Sequence, residues 1–430
     1  VNLTGSWTKR NYNSNASGNA YANPFYIARY MAPVYPVYLH NADGTYQLDA
    51  AGDKIYDTTS PYLSNRHIAY EMLFNKQESV RNVLGGQAFA TISLPYGVSL
   101  TVKGDLNNST SNNKKYDNPE IGDGATNGGR LTSYAYQYRT TTLQEIVNWS
   151  YQFNNVHNVE VMAAHESYSW ERKYTAGMNT GMAVDGNLTM GNFLNNSYFT
   201  GSDDEDKTES YLARLKYNYD DRYLAEAVYT RGGYNWLAPG NRWADYWGMG
   251  AAWNGHNESF VKELNIFSTL KPRISYAVTG QAICDYAEYK QSYSTSKVHV
   301  YGGPFDNKWT EENKTASRLN PEIAKKLNVG IDLGFLNDRL AFTFDYYQNK
   351  FSDVVATSEI KTAILGNVYP RSNCEKYSYT GTEMVLTWQD RIRNFNYFIN
   401  GNLSFEQSKF EYSPQLPKAY PWMSRLGDPV

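Results

Sequence analysis

Residues 326–351 read KLNVGIDLGFLNDRLAFTFDYYQNKF, two alternating runs that meet at Leu336-Asn337-Asp338-Arg339. In the first run Leu327, Val329, Ile331, Leu333 and Phe335 share one face, and Asn328, Gly330, Asp332 and Gly334 share the other. In the second, Leu340, Phe342, Phe344 and Tyr346 stand opposite Ala341, Thr343, Asp345 and Tyr347. A period of two over this length predicts strands, and the Asn-Asp pair predicts a tight hairpin turn. Such a hairpin has two possible interiors. In a soluble sandwich the apolar faces pack on one another. In a membrane barrel they face lipid, and the polar faces line a lumen.

The same unit recurs along the chain. Alternating strands joined by short polar turns span 87–104, 143–168, 210–231 and 382–405. Two further strands, 244–253 and 273–280, flank a 254–272 connection that has room for a helical turn or two. With an opening strand at VNLTGSWTKR the count is about thirteen. The remaining connections, 11–84, 108–140, 171–207, 234–243, 281–324 and 356–376, are long and rich in Asn, Gly, Ser, Tyr and Trp. When the strands are walked alternately up and down, every short turn falls on one side and every long loop on the other. That asymmetry is the pattern of outer-membrane barrels, and a sandwich has no physical reason to sort its loops. Predicted strands of about 10–14 residues suit a tilted crossing of a bilayer. Rings cluster near strand ends, as in interfacial girdles: Trp149, Tyr151 and Phe153, then Tyr217, Tyr219 and Tyr223, then Tyr346 and Tyr347.

Composition sets the outer bounds. The 430 residues carry 39 Tyr, 10 Trp and 17 Phe, a ring content that favours strands. A net charge of −3 gives no basic field for nucleic acid. Mean hydropathy is −0.62, and no apolar run of about 18 residues offers a spanning helix. A transmembrane barrel tolerates low hydropathy because half of each strand is polar. Two cysteines exclude a disulfide-dense scaffold. No signal peptide or initiator Met opens the sequence, so a fragment or a processed chain is expected.

Three segments carry a family resemblance. NPFYIARYMAPVYPVYLHNADGTYQLDAAGDKIYD (23–57) is similar to an extracellular loop, and ESYLARLKYNYDDRYLAEAVYTRGG (209–233) to a hairpin with a Tyr-Asp-Asp-Arg-Tyr turn. RISYAVTGQ (273–281), followed by 319–355, is similar to a third block. In this order they resemble the SusC/RagA family of TonB-dependent outer-membrane transporters. The chain departs from the family at TRGGYNWLAPGNRWADYWG (230–248), where many members read Arg-Asp-Gly-Ser-Ser.

The resemblance implies an all-β fold, a transmembrane antiparallel up-and-down barrel of which residues 1–430 form part, in a family whose barrels have 22 strands and a plugged lumen. It places a plug, a TonB box and further strands outside the chain. It also implies import of oligosaccharides or oligopeptides across the outer membrane, a SusD-like surface lipoprotein as lid, and energy from a TonB complex acting on the plug. No cofactor is expected. The alternatives are a passive porin or outer-membrane adhesin, and a soluble glycan-binding sandwich.

Catalytic signatures are lacking: no G-x-S-x-G, H-E-x-x-H, phosphate loop or C-x-x-C occurs. The six His are scattered, and His157 and His165 lack visible convergence. Asp203, Asp204, Glu205 and Asp206 offer oxygen ligands of the kind Ca²⁺ takes, without the glycine and spacing of an EF-hand loop. A solvated loop is the favoured reading there. Cys284 and Cys374 fall in predicted outward loops, where a disulfide is chemically permitted. The aromatic loop residues Tyr30, Tyr35, Tyr38, Trp236, Trp243 and Trp309 are candidates for substrate or lid contact, against simple loop packing. Asp332, Asp345, Glu226 and Asn402 are expected to line the lumen, as water-facing residues before any of them is a substrate contact.

Overall fold

The computed structural model describes residues 1–12, 23, 25, 29, 34–59, 66–284, 288–290, 292–294, 310–313, 319–360, 370–418 and 420–430. Of the candidates, Tyr30 and Trp309 lie outside the described residues. The strands are β1 (Asn2–Tyr12), β2 (Lys76–Leu94), β3 (Val98–Asp117), β4 (Arg130–Phe153), β5 (His157–Met182), β6 (Phe193–Tyr219), β7 (Tyr223–Tyr234) and β8 (Trp243–Trp253). They continue with β9 (Phe267–Gln281), β10 (Ser292–Ser294), β11 (Thr310–Asn313), β12 (Glu322–Phe335), β13 (Leu340–Ala356), β14 (Ser372–Ile392) and β15 (Phe395–Tyr412). Thirteen of them form one sheet in strict chain order, interrupted only where β10 and β11 pair apart as a small hairpin. The pairings β1–β2, β6–β7, β7–β8, β8–β9, β9–β12, β12–β13, β13–β14 and β14–β15 are antiparallel. This is the up-and-down topology the sequence predicts, and the strand count agrees.

The short links 95–97, 154–156, 220–222, 336–339 and 393–394 alternate with longer connections, but the sorting by length is incomplete: 254–266 falls among the short links and is longer than 118–129, 183–192 and 235–242. Two turns rest on paired polar residues in the left-handed region: Asn154 and Asn155 at φ +51° and +55°, Asp220 and Asp221 at +51° and +52°. Asn and Asp tolerate that conformation, and such a turn matches the twist of the flanking strands. The opening hairpin turns through three left-handed residues, Leu336, Asn337 and Asp338. Leu336 has no side-chain reason to be there. Asp338 holds the turn: its amide donates to Ser268 Oγ at 2.9 Å, and its carboxylate accepts from Ser268 and Thr269 of β9 at 2.7 and 3.1 Å. The 254–272 connection carries a 3-10 turn at Gly255–Asn257 and one α-helical turn at Ser259–Lys262.

Strand lengths correct the sequence reading. β2 to β6 run 19 to 27 residues rather than 10–14. The 108–140 loop shrinks to 118–129, and the 171–207 loop to 183–192. The reason is physical. Alternation signals one dry face and one wet face, and where both faces are wet the pairing continues but the signal vanishes. Stretches such as Asn107–Lys115 in β3 are strand with polar residues on both sides.

The chain divides into two compact units. One comprises Val1–Ala88, Asp105–Thr141 and Trp170–Glu205. It holds the β1–β2 pairing and a core of Tyr116, Leu131 and Phe193 backed by Met182, Leu188 and Met190. It also holds the only α-helix of two turns among the described residues, α1 (Ile68–Phe74). Arg66 ties α1 to the 117–130 segment, pairing with Glu71 at 3.2 Å and with Asp123, and Arg130 closes that segment on Asp117 at 2.6 Å. Gly122, at φ +75°, makes room for Glu71, since a Cβ there would lie 2.7 Å from the carboxylate. Burial pushes the Glu71 carboxyl above the usual carboxylate range, against the pull of Arg66. Residues 34–59 form nested bridges, Tyr38 with Tyr56, His40 with Tyr46 and Leu48 with Lys54. The second unit comprises Phe89–Gly104, Thr142–Ser169 and Asp206–Val430.

Candidate functional site on the polar face

In the second unit the registers fix which residues share a face. Arg273 of β9 pairs with Gly330, Gly330 with Asp345, Asp345 with Glu383, and Glu383 with Ser404. The next row toward the 336–339 turn runs Lys271, Asp332, Thr343, Val385, Asn402. The row on the other side runs Lys216, Glu226, Gly250, Ser275, Asn328, Tyr347, Gly381, Glu406. Glu226, Asp332, Asp345 and Asn402 therefore share one polar face. The opposite face carries Leu215, Ile274, Val329, Phe342, Phe344, Met384, Leu386, Leu403 and Phe405.

Charges on the polar face are linked across strands. Arg273 lays its fork over β12 onto Asp345, with Nη1 and Nη2 donating to the two carboxylate oxygens at 2.7 Å each. Its Nε donates to Asp332 at 3.2 Å, and Nη1 also reaches Asn328 at 3.3 Å. A two-bond fork is the strong form of such a pair. The crossing needs Gly330. A Cβ there would stand 2.6 Å from the guanidinium carbon and 2.7 Å from Asp345. Tyr347 repeats the device, donating to Glu406 at 2.8 Å across Gly381, where a Cβ would lie 2.5 Å from the hydroxyl. Arg214 donates to Glu226 at 2.7 Å. Beside these groups lies a hollow of about 690 Å³, bordered by Ser150, Gln152, Asn158, Lys216, Glu226 and Arg273. Polar groups held in fixed positions beside open space can contact a hydrophilic solute; no nucleophile–base pair is assembled here.

Tyr35, Tyr38, Trp236, Trp243 and Asp203–Asp206 belong to none of these rows. Tyr38 packs within its own hairpin, edge-on to Tyr46 at 5.9 Å and tilted on Tyr56 at 4.9 Å, while Lys54 caps the Tyr46 ring at 3.8 Å. Tyr35 is half-buried in the same segment. Trp236 donates to the Ala282 carbonyl at 3.2 Å and packs on Leu237 and Leu319, so it ties loops together. Trp243 pairs with Gly233, which puts it on the face opposite Glu226, beside the Tyr211 ring at 6.2 Å. It is the first residue of β8 rather than a loop residue. The acidic run Asp203–Asp206 also corrects an expectation. It lies inside β6, not in a loop, so successive side chains point to opposite faces and cannot converge on one ion. Asp204 accepts from Arg172 Nε at 2.8 Å. Among the described residues no group of three His, Cys, Asp or Glu is arranged to hold a metal. The disulfide weighed for Cys284 and Cys374 is not formed: the thiols contact the carbonyls of Trp236 and Ala356 at 3.7 and 3.6 Å.

Arg273 and Gly381 were not singled out from the sequence, and Tyr347, expected there as an interfacial ring, stands on the polar face bonded to Glu406. The alternation places Arg273 on a strand, but its partners lie 59 and 72 residues further along, and only the register joins them.

Comparison with known proteins accords with this geometry. No family model matches the chain. The TonB-dependent receptor P3 of Formosa agariphila is 25% identical over 331 residues, covering 74% of this chain and 31% of its own length. The TonB-dependent receptor SusC of Bacteroides thetaiotaomicron is 25% identical over 205 residues, covering 46% of this chain and 20% of its own length. Among solved structures, the RagAB peptide transporter superposes with a TM-score of 0.78 over 96% of this chain at 16% identity, covering 45% of its own chain. Its closed-closed state gives 0.76 over 99% of this chain and 46% of its own.

The chain is similar to TonB-dependent receptors, SusC among them. Its fold is that of part of an outer-membrane β-barrel. The chain spans less than a third of the length of the curated relatives it matches.

Proposed function

We propose that residues 1–430 are part of the barrel domain of an active importer. In this reading a plug and further strands lie in the rest of the protein, and a SusD-like lipoprotein covers the outward end. The solute is an oligosaccharide or oligopeptide, and uptake is driven through a TonB complex. The observation that carries the reading is the division of the sheet. One face is an apolar band suited to lipid, and the other is polar and cross-linked by Arg273, Asp332 and Asp345. The polar face then lines the lumen, with Asp332, Asp345, Glu226 and Asn402 as its wall. The named relatives are receptors of the TonB-dependent kind, which favours transport over catalysis.

The test is uptake of labelled oligosaccharides and oligopeptides by cells carrying the full-length protein, with the TonB system intact or disabled. The expected result is uptake that needs both the protein and TonB. Uptake that persists without TonB would mean a passive porin. Adhesion to surfaces with no uptake of any solute would mean an adhesin.

A further inference from the structure

A second polar surface, confined to the first unit, has a different character. The register of β1 with β2 pairs Arg10 with Ser79 and Thr8 with Arg81, so these four side chains share a face. It is the polar face of β1, opposite Leu3 and Trp7. Lys115 of β3 and Tyr134 and Tyr136 of β4 border the same hollow, of about 520 Å³. No carboxylate borders it. Nearby acids are engaged: Asp117 lies between Lys115 at 3.7 Å and Arg130 at 2.6 Å, and Asp204 is held by Arg172. Glu78 pairs with Lys9 on the other face of the β1–β2 pair. Among the described residues neither Arg10 nor Arg81 has a carboxylate partner; Arg81 Nε donates to Ser109 at 3.1 Å. Diagonal partners such as these two arginines stand roughly 7–8 Å apart.

Beside the cations runs a series of rings. Tyr136 and Tyr138 are parallel to within 4° at 6.0 Å, Tyr174 lies 4.8 Å from Tyr136, and Trp170 lies 6.2 Å from Tyr138. Parallel ring faces suit the flat apolar faces of pyranose rings. Guanidinium forks suit planar or tetrahedral oxyanions. A hollow bordered by cations and by no carboxylate also concentrates anions. We propose that this surface, built from Arg10, Arg81, Lys115, Tyr134 and Tyr136, binds an acidic glycan, with the guanidinium groups on carboxylate or sulfate substituents and the tyrosine rings under the sugars. The proposal rests on the importer reading and narrows its solute to an anionic oligosaccharide. An acidic peptide would meet the cations but would leave the ring series unused.

The test uses the full-length receptor in detergent, titrated with four probes: oligogalacturonate, a sulfated galactan oligosaccharide, a neutral malto-oligosaccharide and a glutamate-rich peptide. The proposal expects binding of the uronate or the sulfated probe, with affinity falling as salt rises; which of the two binds names the acidic group. Arg10→Gln and Arg81→Gln should each weaken that binding on the order of tenfold, and Tyr136→Ala should weaken it with little change in salt dependence. Arg81→Lys keeps the charge and should retain part of the affinity. Heat-shifted migration on gels checks that each variant is folded. Equal binding of the neutral probe, binding of the peptide alone, no binding of either acidic glycan, or unchanged affinity in both arginine variants would overturn the proposal. TonB-dependent uptake of a neutral sugar or peptide would in that case leave the importer reading standing. Absence of uptake of every probe by receptor present in the outer membrane would remove the importer reading, while the titrations still judge the site.

Discussion

Gly330→Ala adds one methyl group and no charge, and it should break the Arg273–Asp345 fork. The new Cβ would lie 2.6 to 2.7 Å from the guanidinium and from Asp345, distances at which side chains must move. Arg273 would swing off Asp345 and lose both 2.7 Å bonds. Bonds to charged groups are each worth about 1.5–3 kcal/mol when buried. The Arg273 side chain is 31% exposed and that of Asp345 16%, so solvent screening lowers the figure. A loss of about 1–2 kcal/mol is expected. A β-carbon in a strand also changes backbone entropy, and Gly401→Ala supplies the control because nothing lies within 4 Å of that position. The assay is urea unfolding of the full-length receptor in detergent, followed by tryptophan fluorescence, for Gly330→Ala, Asp345→Asn and the double variant. If the methyl acts through the fork, it should cost little once Asp345→Asn has already weakened the fork, giving a coupling of about 1 kcal/mol. Effects additive within about 0.3–0.5 kcal/mol would refute the reasoning.

Three further outcomes are expected. Spin labels at Phe344→Cys and Thr343→Cys should report lipid and water respectively, since the two neighbours point to opposite faces; a water-exposed label at 344 would mean the register is wrong. Cys284 and Cys374 should both react with a thiol reagent in the unfolded, unreduced protein, and mobility should be equal with and without reductant; a mobility shift would show a bridge. Because burial raises the Glu71 carboxyl, the folded state holds that proton more tightly than the unfolded chain does. The stabilisation is thus present at acid pH and is lost as pH rises from the ordinary glutamate value through the raised one. Amide protection in α1, corrected for intrinsic exchange, should fall across that window, and Glu71→Gln should flatten the dependence.

The faces of β12, β13 and their neighbours were legible because one apolar and one polar side impose a period of two on the residues. The same signal fails where water bathes both sides. It therefore missed the outward halves of β2 to β6 and turned Asp203–Asp206 into a loop. Turn chemistry was legible at Asn154-Asn155 and Asp220-Asp221, where the side chain itself favours the backbone angle. It was less so at Leu336, a left-handed residue in a turn that Ser268 holds through Asp338, 70 positions away in the sequence. Trp236 and Trp243 show the limit for candidate sites. Both are exposed-loop aromatics by composition, yet one binds a loop carbonyl and the other belongs to the apolar side of β8. Residue type gave no means of separating them, because strand register decided the second and long-range packing the first.

The placement of Gly330 and Gly381 follows from the same division of faces. A globular domain fixes its structure by interdigitating side chains in a close-packed core. On the importer reading the apolar residues of β12 and β13 meet lipid, which gives weak discrimination between one neighbour and another. Register must then be specified by backbone pairing, by turns and by whatever the polar face can add. A short side chain reaches only the adjacent strand. Arg273 and Tyr347 are long enough to skip a strand, but only where the strand between them and their acids presents no Cβ. Each glycine gap therefore links three strands, β9–β12–β13 in one case and β13–β14–β15 in the other. A one-residue slip of the middle strand would put a side chain in the gap and turn the glycine to the opposite face. The two links overlap on β13, so they tie five consecutive strands of the polar wall into a single register, a task that a packed core performs in a soluble protein.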